Sequence, residues 1–245
     1  MEIVSIIFVH YSMDEDRNQL ARQSYLSLAE STKDLPCELI VVDNGGDYEM
    51  SEFFLKETEA KRITHYIRNA DNVWFGQGRN QGLRIATGEY LVVVDDDLIY
   101  QKDWLKICLD VLKQTKGQKL MVTPMPILSC HKRCIRKEEF IYDGKKYLIN
   151  WRVGSNCWLM HKKDYENIGE FIDHHFSGTK WTNRYSTKGY GLVVVPGELV
   201  KDCGDSSGYI KKSKLDRKNK VSIKKQLTNG EKVVYFEGVM WEPRK

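Results

Sequence analysis

Three consecutive aspartates, Asp95-Asp96-Asp97, follow directly on the apolar run Tyr90 to Val94. Carboxylates at the end of a buried strand stand where open α/β sheets hold their ligands. Adjacent like charges raise one another's pKa unless a cation neutralises them. An all-oxygen donor set suits a hard divalent ion, Mn²⁺ or Mg²⁺, and such ions commonly bridge protein carboxylates to phosphates. The competing reading is a solvated Asp-rich turn that caps the next helix. If strand pleating persists to the end of the run, Asp95 and Asp97 point one way and Asp96 the other. Asp95 and Asp97 are therefore the expected metal pair.

Asp43 is a second strand-end carboxylate, followed by Asn44-Gly45-Gly46. It suits hydrogen bonding to a ribose or a base N–H, and equally an Asx-turn that satisfies its own backbone. The stretch Gly76 to Gly82 reads G-x-G-x-x-x-G, and no strand immediately precedes it. That spacing fails the dinucleotide fingerprint. A Gly-rich loop opening a helix at Asn80 still offers backbone N–H groups to a phosphate or base, with Arg79 as an added cation. Cys130-His131-Lys132-Arg133-Cys134 lacks the second ligand pair that a structural zinc site needs, Cys157 and Cys203 being distant singles. No G-x-S-x-G nucleophile elbow occurs.

The elements that position these residues follow from hydrophobic pattern. Ile3 to Val9, Glu38 to Val42 and Tyr90 to Val94 are continuous β-branched runs, which fits strands buried on both faces of a parallel sheet. Helical spacing of apolar residues predicts helices over Arg17 to Glu30, Ser51 to Lys61, Asn80 to Ala86 and from Trp104 to Leu112. Ile63 to Ile67 reads as a short strand. Alternating strands and helices over the first 115 residues predict an α/β fold, with a largely parallel sheet covered on both faces. The second half is less periodic. Strands are expected at Leu120 to Val122, Asn156 to Met160, Gly191 to Val195 and Lys232 to Phe236, and a helix at Lys163 to Ile168.

Composition narrows the class further. The chain has 245 residues, 41% of them apolar and 11% aromatic, which excludes disorder throughout. No apolar run approaches the ~18 residues of a membrane span. The start has no basic n-region and no small-residue cleavage site, so no signal peptide is expected, and the six cysteines read as reduced thiols. Residues 1–110 hold 20 acidic against 11 basic side chains, a net of −9, while the remainder holds 14 against 27, a net of +13. Between Tyr209 and Lys225 eight Lys and Arg accompany a single acid, Asp216. That segment suits anionic lipid, at ~1 kcal/mol per basic residue near the surface, or plain solvation. Nucleic acid is not expected as a partner, because no aromatic or groove-reading motif accompanies the charge.

The order of motifs resembles the family 2 glycosyltransferases of the GT-A fold, over roughly residues 3–204. The carrying residues are Ser5 to Ser12 with Tyr11, then Val41-Val42-Asp43-Asn44-Gly45-Gly46, then Asn72, Gly76, Arg79-Asn80 and Gly82-Leu83. Ala86-Thr87-Gly88-Glu89-Tyr90 and the strand ending in Asp95-Asp96-Asp97 complete the series. Gly154 to Met160 and Lys163 to Phe171 look like the family's acceptor-side strand and helix. The resemblance implies a GT-A domain over 1–205, with a donor half at 1–115 and an acceptor half at 116–205, followed by a basic extension at 206–245. It implies a nucleotide-sugar site lined by Tyr11, Asp43, Arg79 and Asp96, with Mn²⁺ or Mg²⁺ on Asp95 and Asp97. The implied reaction moves a sugar from a nucleoside diphosphate, a UDP-sugar first of all, to a hydroxyl on a glycan or lipid-linked acceptor. Inversion at the sugar, a role in polysaccharide synthesis, and a cytoplasmic location with peripheral contact to the inner membrane face through 209–225 complete the expectation.

The chain departs from the family on the acceptor side. The usual Glu-Asp pair falls on Ser177-Gly178, the later Asp on Lys180, and Trp74 stands where Gly is usual. A third metal ligand, often His in the family, would fall near Asp202. Asp173, or His174 or His175, is expected to supply the general base from upstream, with Asp173 and His175 as the named pair. Two alternatives stay open: a retaining enzyme that needs no such base, and a catalytically silent nucleotide-sugar-binding subunit. A sugar nucleotidyltransferase would carry a Gly-rich phosphate loop after the first strand. Here that position is the acidic, Gly-free His10 to Asp16.

Overall fold

The computed structural model describes residues 3–11, 14–124, 135–151, 157–172, 177–203, 234–236 and 239–241. The chain divides into a large unit, Met1–Asp202, and a small one, Cys203–Lys245. In the small unit the described residues form a two-stranded antiparallel ribbon, Val234–Phe236 with Val239–Trp241.

The large unit opens with β1 (Val4–His10), all seven residues buried, and α1 (Glu15–Thr32). Then come β2 (Cys37–Asn44), α2 (Tyr48–Glu59), β3 (His65–Asn69), α3 (Trp74–Ile85) and β4 (Tyr90–Asp95). The short β5 (Leu98–Tyr100) follows, with α4 (Trp104–Gln114), β6 (Leu120–Thr123), β7 (Ile135–Tyr142), β8 (Lys145–Asn150) and β9 (Cys157–His161). The unit closes with α5 (Lys162–Ile168), α6 (Ser177–Thr187), β10 (Gly191–Val194) and β11 (Val200–Asp202).

Nine strands form one sheet in the order β3-β2-β1-β4-β9-β6-β10-β8-β7. The pairings from β3 to β4 are all parallel, as continuous apolar strands require when both faces are covered. β9 enters antiparallel between β4 and β6, β10 runs parallel to β6, and β8 and β7 close the far edge antiparallel. β5 and β11 pair separately. Alternate β1 side chains supply the two faces of the core. Phe8 meets the rings of Tyr25 on α1 and Phe54 on α2, whereas Ile7 and Val9 meet α3. Burying side chains of this size stabilises by roughly 1.5–3 kcal/mol each. No helix among the described residues is long and apolar enough to cross a membrane.

Register places the chemistry. His10 lies opposite Asp43, and Val9 opposite Asp95, so β1, β2 and β4 end side by side. The glycine stretch is not the loop that its Gly-rich composition suggested. Gly76, Gly78 and Gly82 are buried within α3. A Cβ on Gly78 would stand 3.0 Å from Val9 Cγ1, and one on Gly82 2.7 Å from Ile7 Cγ2. These glycines let the helix press onto the sheet, which is why they recur four residues apart. The helix therefore begins six residues before the expected Asn80 and ends at Ile85, one residue short of the expected Ala86. Trp74, at its first position, is held at φ 66°, the left-handed conformation that explains glycine's usual place there.

Candidate donor-binding site

Each aspartate of the triplet has its own partners. Asp95 ends β4 and accepts from Arg79 Nη2. Arg79 is wholly buried and its guanidinium lies 4.0 Å from the Phe75 ring centroid, with the Phe171 and Trp158 rings at 5.4 and 5.8 Å. Burial pulls the guanidinium below its ordinary pKa, against the opposing charge of Asp95. Arg79 thus lies beneath Asp95, enclosed by aromatic rings and not on an open surface. Its neighbour Asn80 donates through Nδ2 to the Phe171 carbonyl at 2.8 Å and accepts from Phe171 N–H at 2.9 Å. The Arg79-Asn80 pair therefore ties α3 both to the carboxylates and to the segment after α5.

Asp96 lies just beyond β4, where the strand gives way to a turn, so pleating does not extend through the triplet. One of its oxygens pairs with His10 Nδ1 at 2.8 Å, and Arg17 Nη2 donates to the other at 2.6 Å. Tyr11 N–H adds a longer bond of 3.4 Å. Burial alone would raise the Asp96 pKa, but the His10 bond and the Arg17 charge outweigh it and hold the group below its ordinary value. Asp96 is accordingly a fixed anion that anchors its neighbours.

Asp97 differs. Its Oδ2 accepts from Arg17 Nη1 at 3.1 Å, and its Oδ1 is buried with no hydrogen-bond partner among the described residues. Burial, then the charges of Asp95 and Asp96, push its carboxyl up to about 7. Asp95 is pushed up to about 6, by burial first and then by Asp96 and Asp202 against the pull of Arg79. Asp202 enters because β11 pairs with β5, which sets Asp202 opposite Leu98. Proton affinity this high marks a site with surplus negative charge. Among the described residues no three His, Cys, Asp or Glu side chains gather to hold a metal ion. Two carboxylates nevertheless fit the hard cations that are held by one or two protein oxygens and complete their shell with phosphate and water.

Asp43 is fully buried and well occupied. Oδ1 accepts from Gly46 N–H at 2.7 Å, closing the Asx-turn, and Oδ2 accepts from the Ser51 and Tyr66 hydroxyls at 2.6 and 2.8 Å. A Cβ on Gly46 would stand 2.2 Å from Asp43 Oδ1, so the glycine is needed for the turn to close. Tyr11 follows β1, and its side chain is 40% exposed. Asp173 and His175, with His174, lie outside the described residues. So do Cys130 to Cys134 and the basic segment 209–225. Cys157 and Cys203 are free thiols. Lys180 is exposed on α6, whereas Trp181 is buried and stacks on Phe171 and Trp158 at 4.7 and 5.0 Å.

Reasoning from sequence missed His10 and Arg17. A histidine ending an apolar run was a usable signal for His10. Arg17 sits in the acidic stretch Asp14-Glu15-Asp16-Arg17, and nothing local joins it to carboxylates 79 and 80 residues away.

The family profile described as Glycosyl transferase family 2 matches residues 6–178. The chain is 27% identical over 169 residues, 67% of its length, to a protein of Caenorhabditis briggsae described as putative polypeptide N-acetylgalactosaminyltransferase 10, covering 26% of that protein. It is 22% identical over 158 residues, 61% of its length, to N-acetylgalactosaminyltransferase 4 of Drosophila melanogaster, covering 23% of that protein. The chain spans about a quarter of the length of these relatives. Among solved structures, S. aureus TarS 1-349 superposes with a TM-score of 0.60 at 16% identity, covering 89% of this chain and 65% of that one. GalNAc-T7 with UDP, GalNAc and Mn²⁺ superposes with a TM-score of 0.62 at 13% identity, covering 82% and 43%. These two likenesses establish the fold, which is the expected GT-A type.

Proposed function

The chain belongs to glycosyl transferase family 2, and we propose on that premise that it transfers a sugar from a nucleoside diphosphate to a hydroxyl acceptor. The carrying observation is the carboxylate cluster where β1, β2 and β4 end together. Asp95 and Asp97 are surplus in negative charge, and Asp97 offers a buried oxygen that no described residue satisfies. These two residues would hold Mn²⁺ or Mg²⁺, with Asp202 on β11 as a further carboxylate whose charge acts on both. When bound, such an ion supplies charge stabilisation to a diphosphate leaving group. The neighbour solved with UDP, GalNAc and Mn²⁺ supports this choice of ligands.

The chain's own residues then have separate tasks. Arg79 holds Asp95 from below with a guanidinium that cannot lose its proton at working pH. His10 and Arg17 hold Asp96, which keeps the turn after β4 rigid. Exposed Tyr11 offers a ring to the nucleobase. Asp43 shapes the adjoining turn, and it would reach a base N–H only through lone pairs that Gly46, Ser51 and Tyr66 leave over. Asp173 or His175 would accept the proton of the acceptor hydroxyl in an inverting transfer. A glycan or lipid-linked acceptor and a UDP donor complete the proposal.

Lys180, an exposed cation at a position where the family carries an acid, favours a second reading as a silent nucleotide-sugar-binding subunit. One experiment addresses both. Purified protein with Mn²⁺ is titrated calorimetrically with UDP and other nucleoside diphosphates, then assayed for hydrolysis or transfer with a panel of nucleotide sugars. Turnover that is lost in Asp173→Asn or His175→Ala while donor binding persists establishes the enzyme. Binding without turnover favours the subunit. Absence of both refutes the donor site.

A further inference from the structure

We propose that Arg17 is a place-holder cation that occupies Asp97 until a divalent ion takes that carboxylate, and so sets how weakly the site binds metal on its own. The inference rests on the reading of Asp95 and Asp97 as the metal pair.

The geometry is that of an exchange. Arg17 spans two adjacent carboxylates with one fork, Nη2 on Asp96 at 2.6 Å and Nη1 on Asp97 at 3.1 Å. The hold on Asp96 is the shorter, and Asp96 has His10 as a further partner at 2.8 Å. Asp97 is served at one oxygen only, its Oδ1 being buried without a partner among the described residues. A guanidinium stays charged at any working pH, so it cannot share an Asp97 oxygen with a divalent ion at short range. When the ion arrives, the weaker arm releases Asp97 while the stronger arm keeps Arg17 on Asp96. The side chain has little freedom to swing away. The Arg17 main chain is fixed by the backbone N–H bond to the α1 cap Asp14 at 3.0 Å, and the restraint on the side chain itself is burial, at only 12% exposure. One positive charge therefore remains beside the site after exchange. Metal without phosphate must displace that charge and then tolerate it. Metal with a diphosphate brings anionic oxygens that the retained guanidinium favours. Binding of metal is thereby coupled to binding of donor.

The test is a Mn²⁺ titration followed by the electron paramagnetic resonance signal of the free ion. It uses the full chain as wild type, Arg17→Gln, Arg17→Lys and Asp97→Asn, with and without UDP, and far-ultraviolet circular dichroism verifies folding. Arg17→Gln should bind Mn²⁺ alone roughly tenfold more tightly than wild type, and UDP should improve its affinity by a smaller factor than in wild type. Arg17→Lys, a point charge unable to bridge both carboxylates, should fall between them, and it serves if the glutamine variant does not fold. Equal or weaker Mn²⁺ binding in both Arg17 variants, with binding lost in Asp97→Asn, would overturn the place-holder role alone. Unchanged binding in Asp97→Asn would overturn the metal reading with it.

Discussion

Replacing Asp97 by asparagine should stabilise the metal-free protein at alkaline pH and lose that advantage as the pH falls. The Asp97 carboxyl is pushed from its ordinary 3.8 up to about 7, by burial and then by Asp95 and Asp96. An unfolded chain releases that proton near the ordinary value. Between about pH 4 and pH 7 the folded state therefore binds more protons than the unfolded state, and stability falls as pH rises, levelling off above pH 7. Each pH unit of displacement corresponds to ~1.4 kcal/mol, and Asp95 shares the same repulsion. The metal-free fold then carries about 2–4 kcal/mol of destabilisation at pH 8 and under ~1 kcal/mol at pH 4.5. Asparagine keeps an oxygen for Arg17 Nη1 but carries no charge. Urea denaturation of both proteins at pH 4.5 and pH 8 in the presence of a chelator measures the effect, since titrating groups remote from the carboxylate cluster cancel in the difference and the relief of Asp95 belongs to the effect. Adding Mn²⁺ at pH 8 should stabilise the wild type by mass action and leave the variant unmoved. If the asparagine variant is less stable than wild type at pH 8, the bond to Arg17 outweighs the repulsion, and the surplus-charge argument is wrong.

Two further substitutions probe the supports of the site. Arg79→Met takes from the half-buried Asp95 the cation that favours its charged form and should cost roughly 3–5 kcal/mol. Adding Asp95→Asn should restore at least half of that loss, and a purely additive double-mutant cycle in chemical denaturation would rule the pairing out. Gly82→Ala should lower the melting temperature, because its Cβ would stand 2.7 Å from Ile7 Cγ2. Overpacking of this kind costs about 1–3 kcal/mol, against a gain of ~1 kcal/mol in helix propensity. A melting temperature that holds or rises would mean that α3 can lift from the sheet freely.

Several elements were legible because their signals are local. Glu38 to Val42 and Tyr90 to Val94 lie within strands close to the expected bounds, since continuous β-branched runs have few alternatives to a doubly covered sheet. Asp43 shows how far such reading goes. Its Asx-turn was foreseeable from Asp-Asn-Gly-Gly, but the Ser51 and Tyr66 hydroxyls that fill its other oxygen were not. The hairpin of β7 and β8 was missed although Asp143-Gly144, at φ 48° and 67°, is a strong turn signal. β5 and β11 are three residues each and rely on one another, so no window of sequence reveals them. The glycines of α3 misled because glycine is read as loop, whereas close helix–sheet packing calls for it equally.

The sequence by itself determined that aspartates stand at the ends of buried strands, and the family profile and the fold agree with what that order of motifs implied. Hydrophobic period and turn residues act within a few positions, so one chain of letters suffices to read them. Only the tertiary structure decided which charges meet. Arg17 reaches Asp96 and Asp97, Arg79 lies under Asp95, and Asn80 clasps Phe171 across 91 residues. Those pairings depend on β1 lying between β2 and β4 in a fixed register, and on how far each helix settles onto the sheet. A periodic pattern says which face of an element is buried, but it does not name the element that covers it.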